Sequence, residues 1–500
     1  MKRLLCSLLL VVLGMFAGLL ISDTEQGQYK AKEINQLWSD TKSAVIDHSI
    51  TTGKVDARIA LFIENPALRK RIDKGGSFGG EMSISAAQNM FGRDPTAIKD
   101  LQAKTYVEAY ADGAWLIRMP IVNAVLFDTD EGLVLVDTGM TPAGPALLDA
   151  IRSVSDKPIH TIIYTHGHVD HAYGTWALLD AGENPQIIAQ ENILQRFDRY
   201  IELRQSMAKY NSQKAEQMPQ SLDDIALPTQ IFNDRLELTI GNERFILQHH
   251  KGETDDQLYV WLPDRKIIAT ADYYQGFMPN AGNGKRVQRH VKEWIVALRE
   301  MAELGAELML PAHGEALTDT NTIQREFILL ADAFESIRTQ AIDGLNQGLR
   351  KDQIFQSITL PDELAHEHTL REQYVSYEDV SKMVLKRYTG WWNDLPSQWT
   401  PAPLEKQATA IVDAVGGIEK LITMSRSLKH SDIQLACHFT DWAWLADPSH
   451  PDVQQLVIDI YTARILDSKS NTQEILAYID LMADARARQA AHSSEPMFTQ

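Results

Sequence analysis

The chain has 500 residues, a length that calls for two or three domains rather than one. Hydrophobic residues at 44 % and charged residues at 23 % are ordinary globular usage, which excludes a disordered chain and allows a sizeable core. The formal charge of −19 repels nucleic-acid backbones and anionic membranes, but still admits a small anionic ligand wherever bound cations reverse the local field.

Met1-Lys2-Arg3 precedes an apolar run from Leu4 to about Ile21, the pattern of a secretory signal occupying residues 1–22. It predicts a periplasmic or secreted protein; the alternative reading of the same run is an uncleaved N-terminal membrane anchor. There are two cysteines, and Cys6 lies inside that run. Its removal leaves Cys437 without an intrachain partner, so a disulfide framework is excluded for the mature monomer.

Residues 23–104 are polar, with helical patches and a break at Gly75-Gly76, and read as an N-terminal extension. From Thr105 the pattern turns to strands. Residues 106–117 alternate loosely. Ala124-Val125-Leu126-Phe127 and Leu133-Val134-Leu135-Val136 are apolar runs separated by Asp128-Thr129-Asp130-Glu131-Gly132, a hairpin signal. Val136-Asp137-Thr138-Gly139 closes the second run. A helix is predicted over 145–154, a strand over 161–164 and a helical excursion over 190–215. Strands follow at 236–240, 243–247, 257–262 and 266–269, then a helix at 291–304 and the strand Leu308-Met309-Leu310 before Pro311-Ala312-His313-Gly314. Strands interleaved with helices predict a layered α/β domain over 105–325. Beyond it, Phe327, Leu330, Phe334, Ile337, Ala341 and Leu345 recur at helical spacing, and residues 326–490 read as all-helical.

The densest chemical signal is Thr165-His166-Gly167-His168-Val169-Asp170-His171, directly behind the apolar strand at 161–164. Three imidazoles and a carboxylate within six residues are zinc-type ligands, and a strand end followed by a turn aims several of them inward. They suit two metals, His166 and His168 on one, Asp170 and His171 on the other. The bland alternative is a solvated histidine-rich loop.

This segment resembles the signature of the metallo-β-lactamase superfamily, and further landmarks follow the family order. Asp137 is similar to the strand-end aspartate that braces the metal loop. Ala271-Asp272 is similar to the aspartate bridging both metals, and His313 to the late histidine of the second site. The resemblance implies an αββα sandwich, two Zn²⁺ per chain and hydrolysis by a metal-activated water, with Asp272 and Asp170 at the reacting centre. Where most members have Gly-His-Thr, this chain has Gly252-Glu253-Thr254. That exchange resembles the alkylsulfatase branch, in which a glutamate completes the first site. Asp255 and Asp256 are rival carboxylates there, the alternative being that they hold the loop through backbone hydrogen bonds; His249 and His250 read as strand-end residues.

Tyr388-Thr389-Gly390-Trp391-Trp392-Asn393-Asp394-Leu395-Pro396 resembles a stretch of alkylsulfatase dimerisation domains, as do Val415-Gly416-Gly417 and Ala436-Cys437-His438. The resemblance implies that residues 326–490 form a helical dimerisation domain and that the protein is a homodimer. Tyr377-Glu378-Asp379 departs from the family's Ser-His-Asn. By the same resemblance Asn280, Lys285 and Arg286 bind the anionic part of the substrate. The expected activity is zinc-dependent cleavage of alkyl or aryl sulfate esters. The alternatives are a lactone, β-lactam or other carboxylic-ester hydrolase on the same dinuclear site, and an inactive metal-binding dimeric module.

Overall fold

In the computed structural model, residues 42–75, 87–211 and 213–493 are described; the signal-like run lies outside them. The described residues divide into two compact units, one running from Ile72 to Pro401 with Asn471–Ile475, the other holding Ala402–Ser470 and the described residues before Ile72 and from Leu476 on. Among the described residues no helix is long and apolar enough to cross a membrane.

The first unit contains two sheets. Strands β1 (Tyr106–Ala111), β2 (Ala114–Arg118), β3 (Asn123–Thr129), β4 (Gly132–Val136), β5 (Ile159–Ile163), β6 (Gln186–Gln190) and β7 (Gln230–Phe232) lie side by side in chain order. β1 to β4 are antiparallel and β4 to β7 parallel. The second sheet runs β12 (Leu308–Leu310), β11 (Ile267–Ala269), β10 (Leu258–Leu262), β9 (Glu243–His249) and β8 (Arg235–Ile240), with only β11 and β12 parallel.

Both faces of the central strands are apolar, and the period-2 alternation of a strand sorts those residues into different layers. In β4, Val134 and Val136 join the layer between the sheets, while Leu133 and Leu135 face outward under the helix Gly144–Val154. In β10, Leu258, Val260 and Leu262 face the same inter-sheet layer, and Tyr259 and Trp261 face Trp294 and Leu298 of the helix Val291–Glu303. The result is helix, sheet, sheet, helix, with the expected αββα order.

The β3–β4 hairpin pairs Thr129 with Gly132. Gly132 sits at φ 134°, and a Cβ there would lie 2.8 Å from Pro158 O, so only glycine fits. The helix Thr320–Asn346 buries Phe327, Leu330, Phe334, Ile337 and Ala341 in the same core as Trp294, inside the first unit.

The second unit is helical. The helices Ile418–Leu428, Ile433–Ala446 and Pro451–Leu466 share a core of Leu421, Ile422, Ala436, Val453, Leu456 and Ile460. The Gly416-Gly417 pair lets the preceding helix Leu404–Val415 end in a left-handed turn, with Gly416 at φ 95°. Buried Arg486 pairs with Asp47 at 2.5 Å and Glu64 at 2.7 Å, tying the N-terminal segment of this unit to its last helix.

Candidate metal centre

Four loops leave neighbouring strand ends and meet at one point. The loop after β5 carries His166 and His168, and its short helix Val169–Ala172 adds Asp170 and His171. The loop after β11 gives Asp272, the loop after β12 gives His313, and the β9–β10 loop gives Glu253. Asp137 at the end of β4 has φ 63°, and Ala271 before Asp272 has φ 49°. Non-glycine residues avoid this region unless the surroundings hold them there, and such strain clusters at functional sites.

One polar atom each of His166, His168 and Asp272 lie within 4.8 Å of one another, and so do those of Asp170, His171 and His313. Asp272 stands between the groups. Its Oδ2 lies 3.9 Å from His166 Nε2, while its Oδ1 lies 3.4 Å from His171 Nε2 and 3.2 Å from His313 Nε2. Asp170 is 18 % and His168 14 % exposed, against 4 % or less for His166, His171, Asp272 and His313, so solvent reaches the cluster from the Asp170 and His168 side.

The imidazoles are braced from behind. Asp137 accepts from Thr165 N at 2.8 Å and Thr165 Oγ1 at 2.8 Å, and its Oδ2 lies 2.7 Å from His171 Nδ1. This contact places the His171 proton on Nδ1 and turns the Nε2 lone pair into the cluster. Similarly, Ile121 O lies 2.8 Å from His313 Nδ1. Ligating histidines use such contacts to fix tautomer and orientation.

Burial, with His171 and His166 as neighbouring charges, pushes His166 and His168 well below the usual imidazole range, so both are neutral donors of a lone pair. For Asp272, burial works upward, but His313, His171 and His166 hold the carboxyl well below its ordinary value. For these three residues that is the protonation state metal ligation requires; for His171 and His313 burial works downward, but Asp272 and Asp170 raise them, His171 to about 10, so both give up a proton to ligate.

Glu253 reaches the His166 side. Its Oε1 lies 3.4 Å from His168 Nδ1, and it accepts from Asn280 Nδ2 at 2.5 Å and from the Arg289 guanidinium at 3.0 Å. Asp256 does not enter the cluster: its Oδ2 accepts from Gly167 N at 2.7 Å, and Arg196 lies against both Asp255 at 2.7 Å and Asp256 at 3.1 Å. The two aspartates therefore hold the histidine loop. His249 lies against Gln257 O and His250 against Glu300. On the loop after Asp272, the Arg286 guanidinium donates to Asn211 Oδ1, and the Lys285 backbone N–H donates to Asn283 Oδ1. Asn280 is thus brought to the cluster through Glu253, and Arg286 is anchored on Asn211.

Two residues with a structural part here carry no motif: Arg289 and Arg196 are both buried. Their only sequence signal is a cation in a loop or helix with no apolar reason to be buried, which is visible only once the carboxylates they meet have been placed.

The donor set fits a divalent metal. Nitrogen and oxygen ligands without cysteine suit zinc. Moreover, His171 Nε2 and Glu253 Oε2 are buried and make no hydrogen bond among the described residues, a costly state that a bound cation would relieve.

Comparison with known proteins agrees with this geometry. Residues 118–313 match the model of the metallo-beta-lactamase superfamily, and residues 350–484 match that of alkyl sulfatase dimerisation. A linear primary-alkylsulfatase of Pseudomonas sp. (strain ATCC 19151) is 26 % identical over 351 residues, covering 65 % of each chain. The alkyl/aryl-sulfatase BDS1 of Saccharomyces cerevisiae is 22 % identical over 383 residues, covering 70 % of this chain and 59 % of the relative. The chain thus spans less than two thirds of these relatives' length. The solved stereoselective inverting sec-alkylsulfatase Pisa1 from Pseudomonas sp. superposes with a TM-score of 0.69 at 18 % identity, covering 83 % of this chain and 70 % of that one, which shows a shared fold. Residues 118–313 thus form a domain similar to the metallo-beta-lactamase superfamily. It is followed by a region similar to the alkyl sulfatase dimerisation domain, and alkylsulfatases are among the relatives of the chain.

Proposed function

We propose that this protein is a metal-dependent hydrolase of sulfuric esters, acting on alkyl or aryl sulfates. The observation that carries the reading is the pair of ligand groups meeting at Asp272, with Glu253 completing the first, in a chain whose relatives are alkylsulfatases. In this reading His166, His168, Glu253 and Asp272 hold one Zn²⁺, and Asp170, His171, His313 and Asp272 hold the other. Bound there, such ions supply an activated water near neutral pH and neutralise charge on an anionic ester.

The protein groups do the rest. Asp137 keeps the His171 proton on Nδ1. Asp272, standing between the two ligand groups, brings a carboxylate oxygen to each. Asp170 is the ligand on the solvent side, placed to orient an incoming water and take its proton on a carboxylate oxygen. Lys285 and Arg286 supply charge-assisted hydrogen bonds to the sulfate head, while Asn280 acts on Glu253.

Exported, homodimeric protein completes the proposal. The basic start and apolar run at residues 1–22 support export. The matched dimerisation domain supports a twofold pair. So does a surface cluster in which Trp391 and Trp392 pack on Trp399 at 5.4 and 5.6 Å, leaving Trp391 at 74 % and Trp399 at 61 % exposure.

Incubating the zinc-replete protein with alkyl and aryl sulfates, lactones and β-lactams decides the activity. Release of inorganic sulfate is expected. Ring opening without sulfate release would replace this reading with a carboxylic-ester or β-lactam hydrolase, and inactivity on every substrate would leave a metal-binding module.

A further inference from the structure

Arg289 is 1 % exposed, on the loop before the helix Val291–Glu303, and a buried guanidinium requires a strong reason. All three of its nitrogens point at the Glu253 region. Nη1 donates to Glu253 O at 2.6 Å, Nη2 to Glu253 Oε1 at 3.0 Å, and Nε to Asn280 O at 3.1 Å. Asn280 in turn donates to the same Oε1 at 2.5 Å, while Oε2 makes no hydrogen bond among the described residues. One carboxylate oxygen therefore takes two nitrogen donors and also faces His168 Nδ1 at 3.4 Å, while the other has no donor among the described residues.

Charge gives the arrangement its meaning. A glutamate ligand makes the first group one unit more negative than a neutral histidine in the same place would. A guanidinium in direct contact with that glutamate restores the unit. We infer that Arg289 is a positioning residue for the metal centre. Together with Asn280 it fixes the Glu253 carboxylate in place, and its charge makes the Glu253–Arg289 pair equivalent to a neutral ligand. The inference rests on the proposed metal site, but not on the identity of the substrate.

The account predicts that the sign of an Arg289 substitution depends on residue 253. In the otherwise native chain, Arg289→Met unclamps Glu253 and weakens metal binding by about 10–100-fold, the usual size of such an effect; Arg289→Lys, which keeps the charge but not the fork, recovers part of it. In a Glu253→His background the guanidinium faces a neutral ring and repels the metal, so Arg289→Met there strengthens binding. Zinc titration against a competing chelator, with zinc per chain by elemental analysis, reads both effects without any assay of activity. Weakening in the native background with strengthening in the Glu253→His background supports the inference; a change of the same sign in both overturns it. Should Arg289→Met not fold, recovery of folded protein in Glu253→His/Arg289→Met supports the pairing, and failure of the double variant too overturns it. A chain that cleaves no sulfate ester but shows the sign reversal would sink the substrate reading alone.

Discussion

The two sides of the metal centre are braced by opposite chemistry. Behind His171 and His313 stand acceptors, the Asp137 carboxylate and the Ile121 carbonyl, which pull on ring N–H groups and turn the far nitrogens inward. Behind Glu253 and the Gly167 turn stand cations, with Arg289 on Glu253 and Arg196 on Asp255 and Asp256. The brace follows the ligand: a neutral imidazole needs an acceptor behind it, whereas a buried carboxylate needs a counter-charge. Burial, Asp272 and Asp170 all push the Glu253 carboxyl upward, and Arg289 is the group opposing them. In the proposed site, a glutamate in place of a histidine thus goes with a cation behind it.

Asp272 belongs to both sides, so its removal should have the largest effect. Asp272→Ala should strip metal from both groups and lose several kcal/mol of metal-derived transition-state stabilisation, roughly 10²–10³-fold in kcat/KM at 1.36 kcal/mol per decade. Retained metal with undiminished turnover would dissolve the shared-ligand picture.

Next comes the cationic side. Arg196 and Asp256 are both buried, and breaking such a pair leaves an uncompensated charge worth about 3–5 kcal/mol. Arg196→Met should lower the urea midpoint accordingly, and Asp256→Asn in the same chain should recover part of the loss. Strictly additive effects would show that the two side chains do not act as a pair.

A smaller change is expected on the acceptor side. Asp137→Asn keeps the shape but loses the carboxylate behind His171, and should cost about 10–100-fold in zinc affinity. If Asp137→Asn bound zinc as tightly as the parent, the brace would be a packing feature only.

The smallest effect lies away from the centre. Hydrogen bonds from His250 first, then Tyr259, outweigh burial and hold the Glu300 carboxyl below its ordinary 4.5. A carboxyl lowered in the folded state adds stability above its unfolded value and loses it as pH falls through its folded one. Glu300 is partly exposed, so solvent limits the pair to under about 1 kcal/mol. Denaturation of parent and Glu300→Gln, both in chelator, should show a small deficit at pH 7 that closes below pH 4.5. A deficit unchanged at acid pH would point to packing instead.

Much of this was legible in the sequence, for particular reasons. Leu133 to Val136 and Tyr259 to Leu262 announce buried strands because both faces are apolar, and the β3–β4 hairpin shows through its turn residues. β6 and β7 did not announce themselves: Gln186 and Gln190 bound the one in polar residues, and β7 is three residues long. The histidine segment is readable because its spacing is local. Glu253 stands out by its place in a short motif, whereas Arg289 and Arg196 act through partners 36 and 59 residues away, a separation no local pattern encodes. The helix Thr320–Asn346 shows its buried face plainly, but periodicity does not say which core receives it.

The central claim is that two metal ions share Asp272, one of them held by Glu253. Anomalous diffraction at the zinc edge on crystals of the zinc-loaded protein tests it most directly. The account predicts two peaks per chain, one among His166, His168, Glu253 and Asp272 and the other among Asp170, His171, His313 and Asp272, with Arg289 still on Glu253. A single peak, or two with Glu253 turned away from the metal, would contradict it.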